Sequence, residues 1–191
     1  KLRAQDRVSL VVYAGNTGVI LEPTPGDRKA RIMAAIDGLE AGGATNGGAG
    51  IKLAYAMAEQ GFIRNGINRV LIATDGDFNV GTVSFEALKN LIEEKRKTGV
   101  SLTTLGFGTG NYNDRLMEQL ADHGNGNYAY LDNLNEANKV LVSEMSSTLE
   151  TIAKDVKIQV EFNPAVVAEY RLIGYENRAL KREDFNNDKI D

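Results

Sequence analysis

Asp75 is the residue best placed for chemistry in this 191-residue chain. It follows Asn68-Arg69-Val70-Leu71-Ile72-Ala73-Thr74, whose branched apolar residues predict a buried strand, and it precedes Gly76, which permits a tight turn. A carboxylate at a strand end can ligate a hard cation, directly or through water. The same position also suits an Asx turn or a cap for the following segment. Thr45 offers a hydroxyl within the glycine-rich stretch Gly42 to Gly50, just before a predicted helix. There it would serve either as a ligand or as the helix N-cap. The stretch is no P-loop, because that motif needs a lysine where Gly48 or Ala49 stands.

Three further motifs carry less. Gly106-Phe107-Gly108-Thr109-Gly110 follows a predicted strand and precedes a helix, the context of a dinucleotide loop. Its glycine spacing is one residue short of that fingerprint, which favours a plain loop. His123 stands before Gly124 at a predicted helix end, where it complements the helix dipole, and no serine or cysteine stands in a nucleophile motif. Asp184, Asn186 and Asp188 have the spacing of a calcium loop, but Lys189 replaces the required glycine. They read as a solvated acidic turn.

The elements that must position Thr45 and Asp75 alternate along the chain. Strands are expected at 7–13, 68–74, 100–105 and 127–131, and a short one at 18–21 ended by Pro23 and Pro25. Between them, helical spacing places Ile32, Ala35, Ile36 and Leu39 on one face, Ile51, Ala54, Tyr55 and Ala58 on another, and Leu88, Leu91 and Ile92 on a third. Leu116, Met117 and Leu120 mark a further helix, and a long one is expected over 134–151. Strands alternating with helices predict an α/β fold with a doubly wound, mostly parallel sheet, the 18–21 strand forming its antiparallel edge. After Thr151 the pattern changes to period two over Val156 to Phe162, with a second β-like run over 166–174. The expected division is therefore an α/β domain over 1–151 and the start of a β-rich extension over 152–191.

Composition narrows the function classes. Hydrophobic residues at 42% and charged residues at 25% suit a globular core. With 22 basic against 26 acidic residues, there is no surplus to grip a phosphate backbone, so nucleic acid is not an expected partner. Without cysteine and with a single histidine, thiol nucleophiles, zinc fingers and multi-histidine metal sites are excluded. No stretch reaches the roughly 20 apolar residues that span a bilayer, so any membrane contact is expected only through an anchor outside this chain.

The loop GGATNGGAGI, the strand and turn NRVLIATDGDFNVG and the strand and loop LTTLGFGTGN, in this order, resemble a von Willebrand factor type A domain over roughly residues 1–150. The wording of AKDVKIQVEFNP and YRLIGYENR is similar to a bacterial cell-envelope, lipoprotein-like subgroup with a C-terminal β extension. The family's device is a metal-ion-dependent adhesion site, built from an Asp-x-Ser-x-Ser motif after the first strand, a threonine and an aspartate. The resemblance gives the threonine's role to Thr45 and the aspartate's to Asp75, the latter binding through water. It also implies Mg²⁺ or Mn²⁺ as cofactor and a protein partner that offers a carboxylate.

No Asp-x-Ser-x-Ser occurs in the sequence, so the resemblance implies that the first, central strand lies outside it. Weak metal binding by this chain and oligomerisation through exposed sheet edges are the expected consequences. The main expectation is a non-enzymatic binding module of the bacterial envelope. Two alternatives stay open: a nucleotide-dependent enzyme using the 106–110 loop, and a structural spacer with a vestigial metal site.

Overall fold

A computed structural model describes residues 2–15, 17–40, 42–75, 84–108, 113–143, 158–171, 173, 181 and 183. Contacts divide the chain into two compact units, Lys1–Glu150 and Thr151–Asp191. The first unit contains β1 (Arg7–Val12), β2 (Gly18–Pro25), α1 (Lys29–Asp37), α2 (Gly47–Gln60), β3 (Asn68–Thr74), α3 (Phe85–Lys97), β4 (Val100–Phe107), α4 (Asp114–His123), β5 (Tyr128–Leu131) and α5 (Leu134–Asn138).

β3, β4 and β5 form a parallel sheet in that order, with Asn68 opposite Val100, Thr74 opposite Gly106, and Thr104 opposite Tyr128. β4 is central in it, and Leu102, Thr103, Thr104 and Leu105 are buried on both faces, as its near-continuous apolar sequence requires. One face is covered by Ile51 and Tyr55 of α2, Leu88 and Ile92 of α3, and Met117 and Leu120 of α4. The other is covered where Val140 packs on Leu105 and Leu131. Helices therefore flank the sheet, and the α/β architecture matches the sequence expectation.

Residues 7–12 pair antiparallel with β2, the edge relation expected of the 18–21 strand, and form with it a two-stranded sheet distinct from β3, β4 and β5. Among the described residues no ladder joins β1 to β3. The strand expected to end before Pro23 continues through Pro23 to Pro25. Proline is tolerated there because β2 pairs on one side only, and a missing N–H costs an edge strand little. The pairing slips between Val8 and Leu10, a bulge that absorbs the irregular register. The long helix expected over 134–151 stops being α-helical after Asn138. It widens into a π turn over Lys139–Ser143 that keeps Val140 buried, and residues 144–157 lie outside the described residues.

α2 joins the two sheets. It packs on β1, β2 and β3 alike, starting beside Tyr13, just past β1, and ending with Gly61 beside Pro23, which lies opposite the first half of β1. β3 also ends at Tyr13, whose hydroxyl donates to the Ala73 carbonyl. β1 and β3 therefore run in the same direction. In the second unit, the Asn163 carbonyl accepts from Val166 and Val167 N–H in a turn, and the Phe162 and Tyr170 rings lie 4.5 Å apart. Among its described residues there is no strand, since extended segments need a partner to satisfy their backbone groups.

The tightest steric constraint lies between α4 and β5. A Cβ on Gly126 would stand 1.7 Å from the Leu102 carbonyl oxygen, whereas one on Gly18 meets nothing within 4 Å. Gly126→Ala is expected to lower stability by about 2–4 kcal/mol, the range of severe backbone clashes. Gly18→Ala is expected to change it by less than about 1 kcal/mol. Urea midpoints of the two variants and the parent chain check this.

Candidate functional site

The loop that carries Thr45 is fastened to the chain leaving β1. The Gly15 N–H donates to the Ala44 carbonyl at 3.0 Å, and the Asn46 N–H donates to the Tyr13 carbonyl at 3.0 Å. Between these two bonds Thr45 forms an antiparallel bridge with Ala14 and is half-buried. Such close contact excludes side chains. A Cβ on Gly43 would fall 2.3 Å from the Gly15 Cα, and Gly43 has φ +86, which favours glycine. A Cβ on Gly50 would fall 2.6 Å from the Tyr13 Cβ, so the start of α2 lies against that ring. The glycines thus serve backbone packing.

Asn46, not Thr45, caps α2: its Oδ1 accepts from the Ala49 N–H at 3.3 Å. Asn46 caps because its side-chain oxygen reaches an amide three residues on, while Thr45 is held one residue too early by its bridge to Ala14. The Thr45 hydroxyl is therefore not committed to the helix end.

Asp75 is exposed and stands directly after Thr74, the last residue of β3. The turn at Gly108 lies against it, since a Cβ there would be 3.1 Å from the Asp75 carbonyl oxygen. Gly106 and Phe107, expected in a loop, are strand residues paired with Tyr130 and Leu131. The Tyr130 hydroxyl donates to the Gly108 carbonyl, and residues 109–112 lie outside the described residues, as do Gly76 and Asp77.

Tyr13 is the residue that sequence reasoning missed. Its backbone carbonyl holds the Thr45 loop and its hydroxyl holds Ala73, two residues before Asp75, so one residue ties together the two segments that carry the expected ligands. Its position at the end of the first apolar run was the available signal. Chemically, a hydroxyl and a carboxylate are hard oxygen donors, the type that Mg²⁺ and Mn²⁺ accept. Two such donors suit the ion in kind but fall well short of an octahedral shell. Among the described residues no group of three or more His, Cys, Asp and Glu side chains could hold a metal ion.

The other candidates sit apart. His123 ends α4, and its Nδ1 lies 3.2 Å from Glu93 Oε1 on α3, a contact between helices. Asp184, Asn186 and Asp188 lie outside the described residues. An open cleft of about 650 Å³ lined by Arg7, Glu22, Gln60 and Arg64 lies at the start of β1, the opposite end from Thr45.

Residues 2–144 match the family model of the von Willebrand factor type A domain. The chain belongs to this family. Residues 147–191 match a second model, described as "Uncharacterized protein YfbK, C-terminal". The YfbK protein of Escherichia coli is 55% identical over all 191 residues, which make up 33% of its length. A Synechocystis protein, sll0103, is 26% identical over 137 residues. The chain thus spans about a third of the length of these curated relatives. Among solved structures, BatB from Bacteroides thetaiotaomicron shares the fold with a TM-score of 0.57 at 22% identity, over 75% of this chain and 80% of that one. The proximal thread matrix protein 1 of the mussel byssus, solved with a zinc-occupied MIDAS motif, gives 0.55 at 18% identity over 73% and 36%. A domains are in general protein-interaction modules, often with a metal-ion-dependent adhesion site. No helix among the described residues is long and apolar enough to cross a membrane.

Tyr55 of α2 is fully buried in the core, with a hydroxyl that finds no partner among the described residues. Burial pushes its phenol above the usual tyrosine range. The unfolded chain ionises this group near pH 10 while the folded one resists. The stability linked to Tyr55 is therefore complete below about pH 10 and is lost as the pH rises further. Tyr55→Phe is expected to leave stability at neutral pH within about 1 kcal/mol of the parent, because no hydrogen bond is removed. It is also expected to flatten the alkaline loss. Urea midpoints at neutral pH and at about pH 11 compare the two.

Proposed function

We propose that this chain is a non-enzymatic protein-binding module whose contact edge is the carboxyl end of its parallel strands. Thr45 supplies a hydroxyl and Asp75 a water-mediated carboxylate to Mg²⁺ or Mn²⁺, and a carboxylate of the protein partner fills a remaining position. The observation that carries this is the double attachment of Tyr13, which draws the Thr45 loop and the end of β3 to one residue. The half-buried Thr45 supports it as a fixed ligand, and the exposed Asp75 supports it as one that acts through water. A site with an open position suits recognition of a carboxylate, since Mg²⁺ keeps several exchangeable waters. The nucleotide-enzyme alternative loses ground because Gly106 is a strand residue. The module is read as residues 1–151, with a β-rich part beginning at 152. It works at the bacterial envelope, reaching the membrane through an anchor elsewhere in the protein.

With one hydroxyl and one carboxylate, the ion stays mostly hydrated, and binding by this chain is expected to be weak. Calorimetric titration of Mg²⁺ and Mn²⁺ into the chain is expected to give millimolar affinity, on the order of −4 kcal/mol. A form extended at its N-terminus, which the proposal supplies with Asp-x-Ser-x-Ser, is expected to bind at least tenfold more tightly. Asp75→Ala is expected to abolish metal-dependent capture of a carboxylate-bearing partner by that form. Equal and tight binding by both forms would overturn the ligand set. Undiminished capture by Asp75→Ala would favour the spacer.

A further inference from the structure

The amino end of the parallel sheet carries charge of the opposite sign from the chain as a whole. Residues 61–69, which lead from α2 into β3, and residues 95–101, which lead from α3 into β4, hold five cations and no acid, whereas the whole sequence has a net charge of −4. Three of the five are engaged: Lys95 pairs with Glu59, Arg96 donates to Asn125 and Arg69 to Thr103. Arg64 and Lys97 are exposed and form no ion pair among the described residues. Glu22 lines the adjoining cleft together with Arg7 and Arg64, two cations to one acid.

The loop between α2 and β3 is firmly built. The Asn68 Oδ1 accepts from the Ile63 N–H at 2.8 Å, its Nδ2 donates to the Ile63 carbonyl at 2.9 Å, and the Gly66 N–H donates to that same carbonyl. Two large apolar side chains are nevertheless left out, Phe62 at 42% and Ile67 at 53% exposed. Each stands one residue before a member of the Asn68–Ile63 latch, so the fixed backbone keeps both from turning into the core. The Phe62 ring also lies against Gly99, just past Lys97, which brings the helix end with its free cation beside the loop.

Apolar side chains held out beside unpaired cations suit the interface of an anionic bilayer, where the former reach the acyl boundary and the latter meet phosphates. A stable protein interface takes about 800 Å² from each partner, more than one short loop and a helix end offer. A lipid surface needs no matching contour, and each free cation adds about fivefold to its affinity. We propose that the α2–β3 loop seats this domain on an anionic phospholipid surface, with Phe62 and Ile67 entering the headgroup region and Arg64 and Lys97 on lipid phosphates. The contact is peripheral and adds to an anchor elsewhere in the protein. It is independent of the metal-site proposal, because it uses neither Thr45 nor Asp75, which lie at the opposite end of the strands.

Flotation of the full chain with vesicles tests this. Vesicles of equal parts phosphatidylglycerol and phosphatidylcholine are expected to bind it at least about tenfold better than phosphatidylcholine alone at low salt, two free cations contributing about fivefold each. The difference is expected to shrink as salt is raised. Arg64→Ser combined with Lys97→Ser is expected to remove it with circular dichroism unchanged, since both side chains are exposed. The natural chain has no tryptophan, which permits a reporter at one position. Ile67→Trp is expected to shift its emission to the blue on the anionic vesicles. Leu134→Trp, 87% exposed just beyond the carboxyl end of β5, is expected not to shift. Binding that ignores lipid charge overturns the proposal, as does a shift at Leu134→Trp without one at Ile67→Trp, which would seat another surface on the bilayer. Failure to bind vesicles also overturns it, and retention on immobilised polyglutamate would then assign the cations to an acidic protein.

Discussion

The packing of α2 against two separate sheets is the constraint on which the rest of the A domain depends. β1 with β2, and β3 with β4 and β5, share no backbone ladder among the described residues, so side chains and one helix must hold them in register. Ile51 and Tyr55 are almost completely buried beneath α2, and each such side chain contributes on the order of 1.5–3 kcal/mol. The helix can come this close because Gly50 meets Tyr13 where a methyl group would collide. Tyr13 then fixes the geometry by bonding in two directions at once.

That constraint has a consequence for recognition. Thr45 is held in a backbone bridge, while Asp75 is exposed at a strand end. Under the proposed function, this division places the ion by the threonine and leaves the carboxylate to adjust through water as a partner arrives. The affinity for metal and the affinity for partner are then linked, since each completes the other's coordination shell. Hydroxyl and carboxylate oxygens favour hard divalent cations.

Burial is unevenly distributed. β4 is covered on both faces, β3 on one, and β1 is only half-buried along most of its length. Arg69 belongs to this pattern: its guanidinium donates to the Thr103 hydroxyl at 2.6 Å, its Nε has no partner among the described residues, and burial pulls it below the usual arginine range.

Local pattern determined the elements. The apolar runs at 68–74 and 100–107, the helical spacing of Ile51 with Tyr55 and of Leu88 with Ile92, and the motifs at Thr45 and Asp75 were legible because burial leaves a period in the sequence. Three things were not. Proline is an edge-strand residue in β2 because that strand pairs on one side, which depends on a neighbour and not on the residue. Asn46 caps α2 in place of Thr45 because the Ala14 bridge shifts the helix start by one position. Tyr13 acquires its role from partners 33 and 60 positions away along the chain, Asn46 and Ala73. Sequence fixes which side chains need burial and which backbone torsions are open. Which distant groups meet is decided only when whole sheets and helices pack, because long-range contacts depend on the joint position of elements that carry no trace of one another in their own residues.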